Sequence, residues 1–175
     1  DGTSPTPYKE DASPHPLNVY GESKLQGERA VQAAGENHLI LRTAWLYGRH
    51  GKNFVDTILR LASRQEELRV VNDQKGSPTF TRNLSWAIAQ LLEKDLRGII
   101  HVTNSGSCTW FEFTEKILAL KPPLHSRVRI LPISSSELNR PARRPAFSTL
   151  DCSRFEGVIG RRMRSWEEGL QEYLA

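Results

Sequence analysis

Hydrophobic residues along the chain follow two spacings, one typical of helices and one typical of buried strands. Apolar residues recur every three or four positions in five segments, which predicts helices over residues 19–34, 53–64, 84–92, 110–120 and 165–174. Short continuous apolar runs predict buried strands over residues 38–43, 68–71, 98–102 and 128–133. Residues 1–18, which include four prolines, are predicted to form a loop.

Turn-forming and capping residues mark the boundaries between these segments. Thr109 and Glu112 have the spacing of a capping box, which predicts a helix start at this point. Residues 72–78 and 134–145 are polar and rich in turn formers, and they are predicted to be loops. Strands that alternate with helices predict an α/β fold with a largely parallel sheet.

The composition is that of a soluble domain with one buried core. The chain has 175 residues, of which 38% are hydrophobic and 25% charged. No apolar run approaches the roughly 20 residues of a membrane helix, and no signal peptide is recognisable, so no membrane partner is expected. Cys108 and Cys152 form no C-x-x-C pair, which favours a reducing, cytoplasmic location. Because the first residue is not Met, we expect this chain to be part of a longer protein.

Positive charge is concentrated in one stretch of the chain. The formal net charge is +4, and residues 121–164 alone contain ten Lys and Arg against three Asp and Glu. A solvated basic face is the simplest interpretation of most of these arginines. A nucleic-acid-binding domain is the alternative on charge alone, but no recognition helix, zinc spacing or aromatic-basic pattern supports it. We therefore predict no nucleic-acid partner, and note that arginine also suits a small phosphorylated ligand.

The strongest candidate for chemistry is a tyrosine one helical turn before a lysine. Tyr20 and Lys24 lie four residues apart in a predicted helix, so they share one face. A nearby ammonium favours the phenolate form of tyrosine, which makes proton transfer at neutral pH easier. The pair would suit a proton donor beside a carbonyl group, although an exposed helical pair without a function would look the same.

Longer motifs around this pair resemble the extended short-chain dehydrogenase/reductase family and, within it, the dTDP-4-dehydrorhamnose reductases. The matching segments cover most of the chain in order and lie at residues 16–28, 41–48, 52–55, 67–79 and 142–150. The resemblance implies the C-terminal part of a Rossmann-like α/β fold with a small substrate-binding domain. It assigns residues 1–65 to the remainder of the Rossmann-like domain, with the Tyr-x-x-x-Lys helix. Residues 66–175 would form mainly the substrate-binding region, with some elements returning to the sheet.

The resemblance also implies an activity, which is reduction of the keto group of dTDP-4-dehydro-L-rhamnose with NADPH or NADH. Tyr20 would donate the proton to the sugar oxygen, and Lys24 would hold the nicotinamide ribose. Trp45, Asn53 and Arg144 would contact the dTDP-sugar. The alternatives for these three are a packed core tryptophan, a plain helix N-cap and a surface arginine.

The histidines, the aromatic residues near position 110 and Arg82 argue against further ligand or metal sites. The histidines, including His101 and His125, are scattered without metal-ligand spacing, and the aromatic residues at 110, 111 and 113 favour the core. Some family members bind magnesium at a dimer contact through acidic residues. Arg82 stands at the aligned position, which puts a magnesium-mediated contact in doubt but leaves a homodimer open.

Two functional interpretations remain open. One is a sugar-nucleotide reductase, and the other is a non-catalytic relative such as the regulatory subunit of methionine adenosyltransferase. The resemblance implies that most cofactor contacts belong to an N-terminal half which this sequence lacks. We therefore expect the chain by itself to be inactive.

Overall fold

Six α-helices account for most of the regular structure in the computed structural model, which describes residues 1–123, 128–138 and 140–175. They are α1 (Val19–Ala33), α2 (Phe54–Ala62), α3 (Thr81–Leu92), α4 (Trp110–Leu120), α5 (Ser153–Ile159) and α6 (Trp166–Leu174), with a short 3-10 helix over Ser135–Leu138. His125 and Arg127, the latter one of the arginines of the basic stretch 121–164, lie outside the described residues.

The strands are short and pair two by two. They are β1 (Leu39–Arg42), β2 (Leu46–Tyr47), β3 (Glu67–Val71), β4 (Lys75–Gly76), β5 (Thr79–Phe80), β6 (Gly98–His101), β7 (Cys108–Thr109) and β8 (Arg129–Ile133). The pairs β1–β6, β2–β5 and β3–β8 are parallel, and β4–β7 is antiparallel. Mostly parallel pairing with helices between the strands confirms the predicted α/β class.

Five of the six helices lie where the hydrophobic spacing predicted them. Local signals explain the accuracy, since the side chain of Asn53 caps α2 and the predicted capping box of Thr109 and Glu112 begins α4. α3 begins at Thr81 rather than at residue 84. α5 was not predicted, because it has only seven residues and includes Gly157, so its apolar repeat is too short to recognise.

Two hydrophobic clusters hold these elements together. In the larger one, Phe113 of α4 is almost fully buried and packs against the rings of Phe54, Tyr47 and Trp166. The smaller one places Phe155 of α5 beneath α3 and β6. The clusters fix α2, α4 and α6 around the first core and α3 and α5 around the second.

β1 and α1 are less buried than the sequence predicted. Each residue of β1 is half-buried, because β1 pairs with β6 on one side and no strand in the described ranges pairs with its other side. α1 has no fully buried residue and is held to β1 by a two-pronged ion pair from Arg42 to Glu28, with an Nε–Oε1 distance of 2.8 Å.

Two further observations bear on the sequence predictions. Cys108 is buried and Cys152 half-buried, and both are free thiols. Among the residues that the structure describes, no helix is long and apolar enough to cross a membrane. The predicted boundary between residues 65 and 66 stays a prediction, although the β1–β6 pair joins one segment to the other.

Candidate active site

A cleft of about 680 Å³ lies where α1, the end of β1 and the segment around residue 145 meet. Four of the five predicted site residues line it, namely Tyr20, Lys24, Trp45 and Arg144. Trp45 follows β1 at its carboxyl end, which is the edge where α/β sheets bind ligands. Residues more than a hundred positions apart in sequence therefore meet at one surface.

The start of α1 presents the tyrosine–lysine pair to this cleft. Asn18 caps the helix by accepting a hydrogen bond from the backbone N–H of Gly21 at 2.9 Å. Its amide nitrogen also donates to the carbonyl oxygen of Arg143 at 2.7 Å. Tyr20 is 71% exposed, and the Lys24 ammonium lies 5.6 Å from the centre of its ring. Both polar groups are therefore open to a ligand, and the ammonium lies within cation–π distance of the ring.

Trp45 is held in an uncommon backbone conformation. Its φ of +49° makes it the single non-glycine residue with positive φ among the described residues. Such a conformation costs about 1–3 kcal/mol and persists where the surroundings enforce it. The Trp45 indole stacks on that of Trp110, with ring centres 3.4 Å apart and planes 5° apart. A Cβ on Gly76 would lie 2.5 Å from the Trp45 ring, so only glycine fits beneath it.

Trp110 is a residue of the cleft lining that the sequence did not predict. We predicted a core position, and one face of the ring does pack on Phe54, with ring centres 4.4 Å apart. The side chain is nevertheless half-buried, lines the cleft and supports Trp45. Its position at the start of α4 was predictable from the capping box, but its contact with Trp45 joins residues 65 positions apart and has no local signal.

Asn53 is not brought together with the other predicted residues. Its side-chain oxygen accepts a hydrogen bond from the N–H of Asp56 at 3.0 Å, as an N-cap does. Its amide nitrogen donates to the carbonyl oxygen of Gly48 at 2.9 Å and to the Asp56 carboxylate at 2.7 Å. It does not belong to the cleft lining, and the geometry agrees with the N-cap alternative.

Arg144 lies on the exposed side of the cleft, on a segment that the chain's first residues support. Gly2 has a φ of +77°, and a Cβ there would lie 2.5 Å from the Cβ of Pro145. The N–H of Phe147 also donates to the Gly2 carbonyl oxygen at 3.2 Å. Close packing therefore positions the backbone around Arg144 while its side chain stays exposed.

His101 is a second residue of the cleft that the sequence analysis set aside. The ring is 1% exposed, and its Nδ1 donates to the carbonyl oxygen of Tyr8 at 3.1 Å. Its Nε2 is buried without a hydrogen-bond partner among the described residues. Burial lowers the pKa of His101, the positive charge of Arg42 lowers it further, and the carboxylate of Glu10 opposes both. The neutral imidazole thus holds the first loop against the end of β6.

We expect the stability of the fold to fall as the pH drops below the ordinary histidine pKa of 6.5. The folded His101 resists protonation, so in this range the unfolded chain binds more protons than the folded chain does. Above that pH both states are neutral at this residue and the penalty disappears. The check is the thermal unfolding midpoint of wild type and His101→Asn at about pH 8 and about pH 5.5. Asparagine keeps a donor for Tyr8, so the variant should lose less stability on acidification.

His50, an exposed histidine, provides the matched control. His50→Asn should keep the wild-type pH dependence. An equal acid-induced loss in wild type and His101→Asn would contradict the role given to the buried imidazole.

Acidic residues do not converge on a metal site in the part of the chain that the structure describes. In residues 1–123, 128–138 and 140–175, no group of three or more His, Cys, Asp or Glu side chains could hold a metal ion. Arg82 instead forms an ion pair with Glu172, with an N–O distance of 2.7 Å.

Comparisons with known proteins agree with the resemblance. The family described as the RmlD substrate binding domain matches residues 1–175. A dTDP-4-dehydrorhamnose reductase from Sinorhizobium fredii is 43% identical over 99% of this chain and 62% of its own length. The crystal structure of the Bacillus anthracis dTDP-4-dehydrorhamnose reductase in complex with NADP superposes with a TM-score of 0.92. It is 41% identical, over 98% of this chain and 60% of that one.

A second solved structure gives the same result. A dTDP-4-dehydrorhamnose reductase from Clostridium acetobutylicum superposes with a TM-score of 0.93 at 37% identity, over 99% of this chain and 61% of that one. The chain thus spans about three fifths of the length of the relatives that it matches. The superpositions confirm the extended Rossmann-like class of the fold.

Proposed function

Because this chain belongs to the RmlD substrate-binding domain family, we propose that it forms the substrate-binding part of a reductase. The reaction would convert dTDP-4-dehydro-L-rhamnose to dTDP-L-rhamnose. The observation that carries the proposal is the convergence of Tyr20, Lys24 and Trp45 on one cleft at the carboxyl end of β1. A proton donor, a cation and an aromatic surface are there within reach of a single bound ligand.

The residues present fit the part of a nicotinamide cofactor site that this chain would supply. Lys24 lines the cleft and forms no ion pair within the described ranges, so its ammonium keeps its donors for the ribose hydroxyls of NADPH or NADH. When bound, the cofactor supplies the hydride that reduces the keto carbon. The cofactor-binding role of Tyr20 would come from the same face of α1.

Tyr20 would supply the proton that completes the reduction. As the keto carbon gains a hydride, negative charge develops on its oxygen, and the Tyr20 hydroxyl donates its proton there. The product is an alcohol, and the phenolate left on Tyr20 is stabilised by the Lys24 ammonium. Because Tyr20 is 71% exposed, water can return the proton before the next turnover.

The substrate would be held by the aromatic wall and the arginine of the cleft. The stacked Trp45 and Trp110 offer a rigid apolar surface to the sugar or the base. Arg144 would bind the diphosphate, since a guanidinium can donate two parallel hydrogen bonds to phosphate oxygens. The strained backbone of Trp45 supports this assignment, because such strain is concentrated at functional sites.

Replacing Trp45 with alanine should raise the KM for the dTDP-sugar about 5–160-fold, the range expected from losing 1–3 kcal/mol of stacking. The affinity for NADPH should change much less, because the indole belongs to the proposed substrate side of the cleft. Steady-state kinetics with each reactant varied in turn measures both quantities in the full-length protein.

The matched control is Trp86→Ala, which removes a partly exposed tryptophan that does not line the cleft. It should leave the KM for the dTDP-sugar unchanged. If Trp45→Ala only lowers thermal stability and leaves this KM at its wild-type value, Trp45 is a packing residue and the substrate assignment is wrong.

The proposed function also implies a cellular location and a set of binding partners. A dTDP-sugar is the proposed partner, and two free cysteines support a reducing cytoplasm. A homodimer stays a proposal, and the Arg82–Glu172 ion pair offers no support for a magnesium ion at that contact. The non-catalytic alternative, a regulatory subunit of methionine adenosyltransferase, is not favoured, because relatives at 43% and 37% identity are named dTDP-4-dehydrorhamnose reductases.

A further inference from the structure

A second, smaller pocket of about 230 Å³ lies apart from the cleft and shares no lining residue with it. It is formed by the first turns of α3, the connection from α5 to α6 and the last turn of α6. The residues that line it are Arg82, Asn83, Trp86, Arg161, Arg162, Met163, Arg164 and Glu172. Four guanidinium groups thus face one carboxylate.

The charges of this pocket are only partly neutralised. Glu172 pairs with both Arg82 and Arg164, and Arg162 pairs with Glu156 outside the pocket at 3.4 Å. The Arg161 guanidinium lies 5.2 Å from the centre of the Trp86 ring and has no carboxylate partner in the described part of the chain. The pocket therefore keeps a surplus of positive charge and unused N–H donors.

A buried amide and the N-terminus of α3 form the inner wall of the pocket. Asn83 is 8% exposed, lines the pocket, and its Nδ2 has no hydrogen-bond partner among the described residues. Asn83 lies in the first turn of α3, whose N-terminus carries partial positive charge and has no side-chain cap. The amide nitrogen itself is enclosed and faces Gly169 of α6, where a Cβ would lie 3.2 Å from it.

We infer that this pocket binds a small phosphate-bearing anion, of the size of inorganic pyrophosphate. Guanidinium forks match phosphate oxygens in pairs, and several of them together favour an oxyanion with more than one charge. The pocket is too small for a whole nucleotide-sugar, since ligand pockets for molecules of that size span roughly 300–1,000 Å³. The site goes beyond the proposed reductase function and does not depend on it.

Binding of pyrophosphate by the full-length protein, followed by calorimetry at about 0.15 M salt, tests the inference. Saturable binding with a Kd below about 1 mM is expected. Arg82→Gln and Arg161→Gln should each weaken it at least about tenfold, which corresponds to 1.4 kcal/mol. The indole N–H resonance of Trp86 should shift during the titration and that of Trp45 should not.

Two controls separate this site from general charge attraction and from the cleft. Arg129 is 72% exposed and paired with Glu67, much as Arg82 is 74% exposed and paired with Glu172, so Arg129→Gln should leave binding unchanged. Arg144→Gln should also leave it unchanged, because Arg144 belongs to the cleft. No saturable binding, or equal weakening by Arg129→Gln, would overturn the inference. Weakening by Arg144→Gln alone would place the anion in the cleft and would also overturn it.

The Arg82 and Arg161 variants should keep the turnover of wild type. Failure of this inference therefore leaves the reductase proposal untouched, and failure of the reductase assay leaves the pyrophosphate measurement valid.

Discussion

Tyr20→Phe is expected to lower kcat about 10²–10⁴-fold, the usual contribution of a positioned general acid. The substitution removes the hydroxyl that would protonate the sugar oxygen and keeps the ring. Because Tyr20 is 71% exposed and packs little, the fold should be unaffected. The measurement is NADPH oxidation with the dTDP-keto-sugar in the full-length protein that contains this chain, with thermal unfolding alongside.

Tyr173→Phe is the matched control for this experiment. It also removes a tyrosine hydroxyl, one that donates to the Asp56 carboxylate at 2.7 Å outside the cleft. Its kcat should stay near that of wild type. The KM for the sugar should change little in Tyr20→Phe, since the lost interaction acts on the transition state rather than on the bound substrate. A kcat within about twofold of wild type would remove Tyr20 from the role of proton donor.

The 175-residue chain alone is expected to bind NADPH more weakly than millimolar and to be inactive. Of the proposed cofactor contacts it offers chiefly the hydrogen bond from Lys24, worth about 1.5–3 kcal/mol. Millimolar binding already requires about 4.1 kcal/mol. The sequence contains no G-x-G-x-x-G pattern, since no two glycines are separated by a single residue. Calorimetry with NADPH on the purified chain measures the affinity.

The same preparation should self-associate. Within the described ranges β1 pairs only with β6, and an unpaired apolar strand edge promotes association between chains. Light scattering with and without the remaining part of the full-length protein tests this, because that part should suppress association. A monodisperse chain that binds NADPH at micromolar concentration would show that the cofactor site is built differently.

Local sequence signals were sufficient to predict most of the helices and the longer strands. Helices α2 and α4 have an N-cap side chain and a regular apolar repeat, so their starts could be predicted within a residue. α5 lacks both, because it is short and no side chain caps it. The two-residue strands such as β2 and β5 exist only through pairing with distant residues, and a pattern of two positions cannot predict them.

The sequence predicted several residues of the candidate site, but it did not predict the contacts between them. The spacing of Tyr20 and Lys24 and the position of Trp45 after β1 follow from sequence, and the structure places all three in one cleft. The support of Trp45 by Trp110 and the burial of His101 depend on tertiary packing, which leaves no periodic signal. The catalytic and binding roles of these residues stay predictions until the variants are measured.

The bond from Asn18 to the carbonyl oxygen of Arg143 has a consequence for how the protein matures. It joins residues 125 positions apart, and α1 has no fully buried residue that could seat it independently. At about 5–20 residues per second, the ribosome needs roughly 6–25 s to add that length of chain after Asn18. During this interval the start of the helix that carries Tyr20 lacks one of its anchors. A nascent or truncated chain that stops short of residue 143 would therefore carry the tyrosine–lysine motif without this anchor.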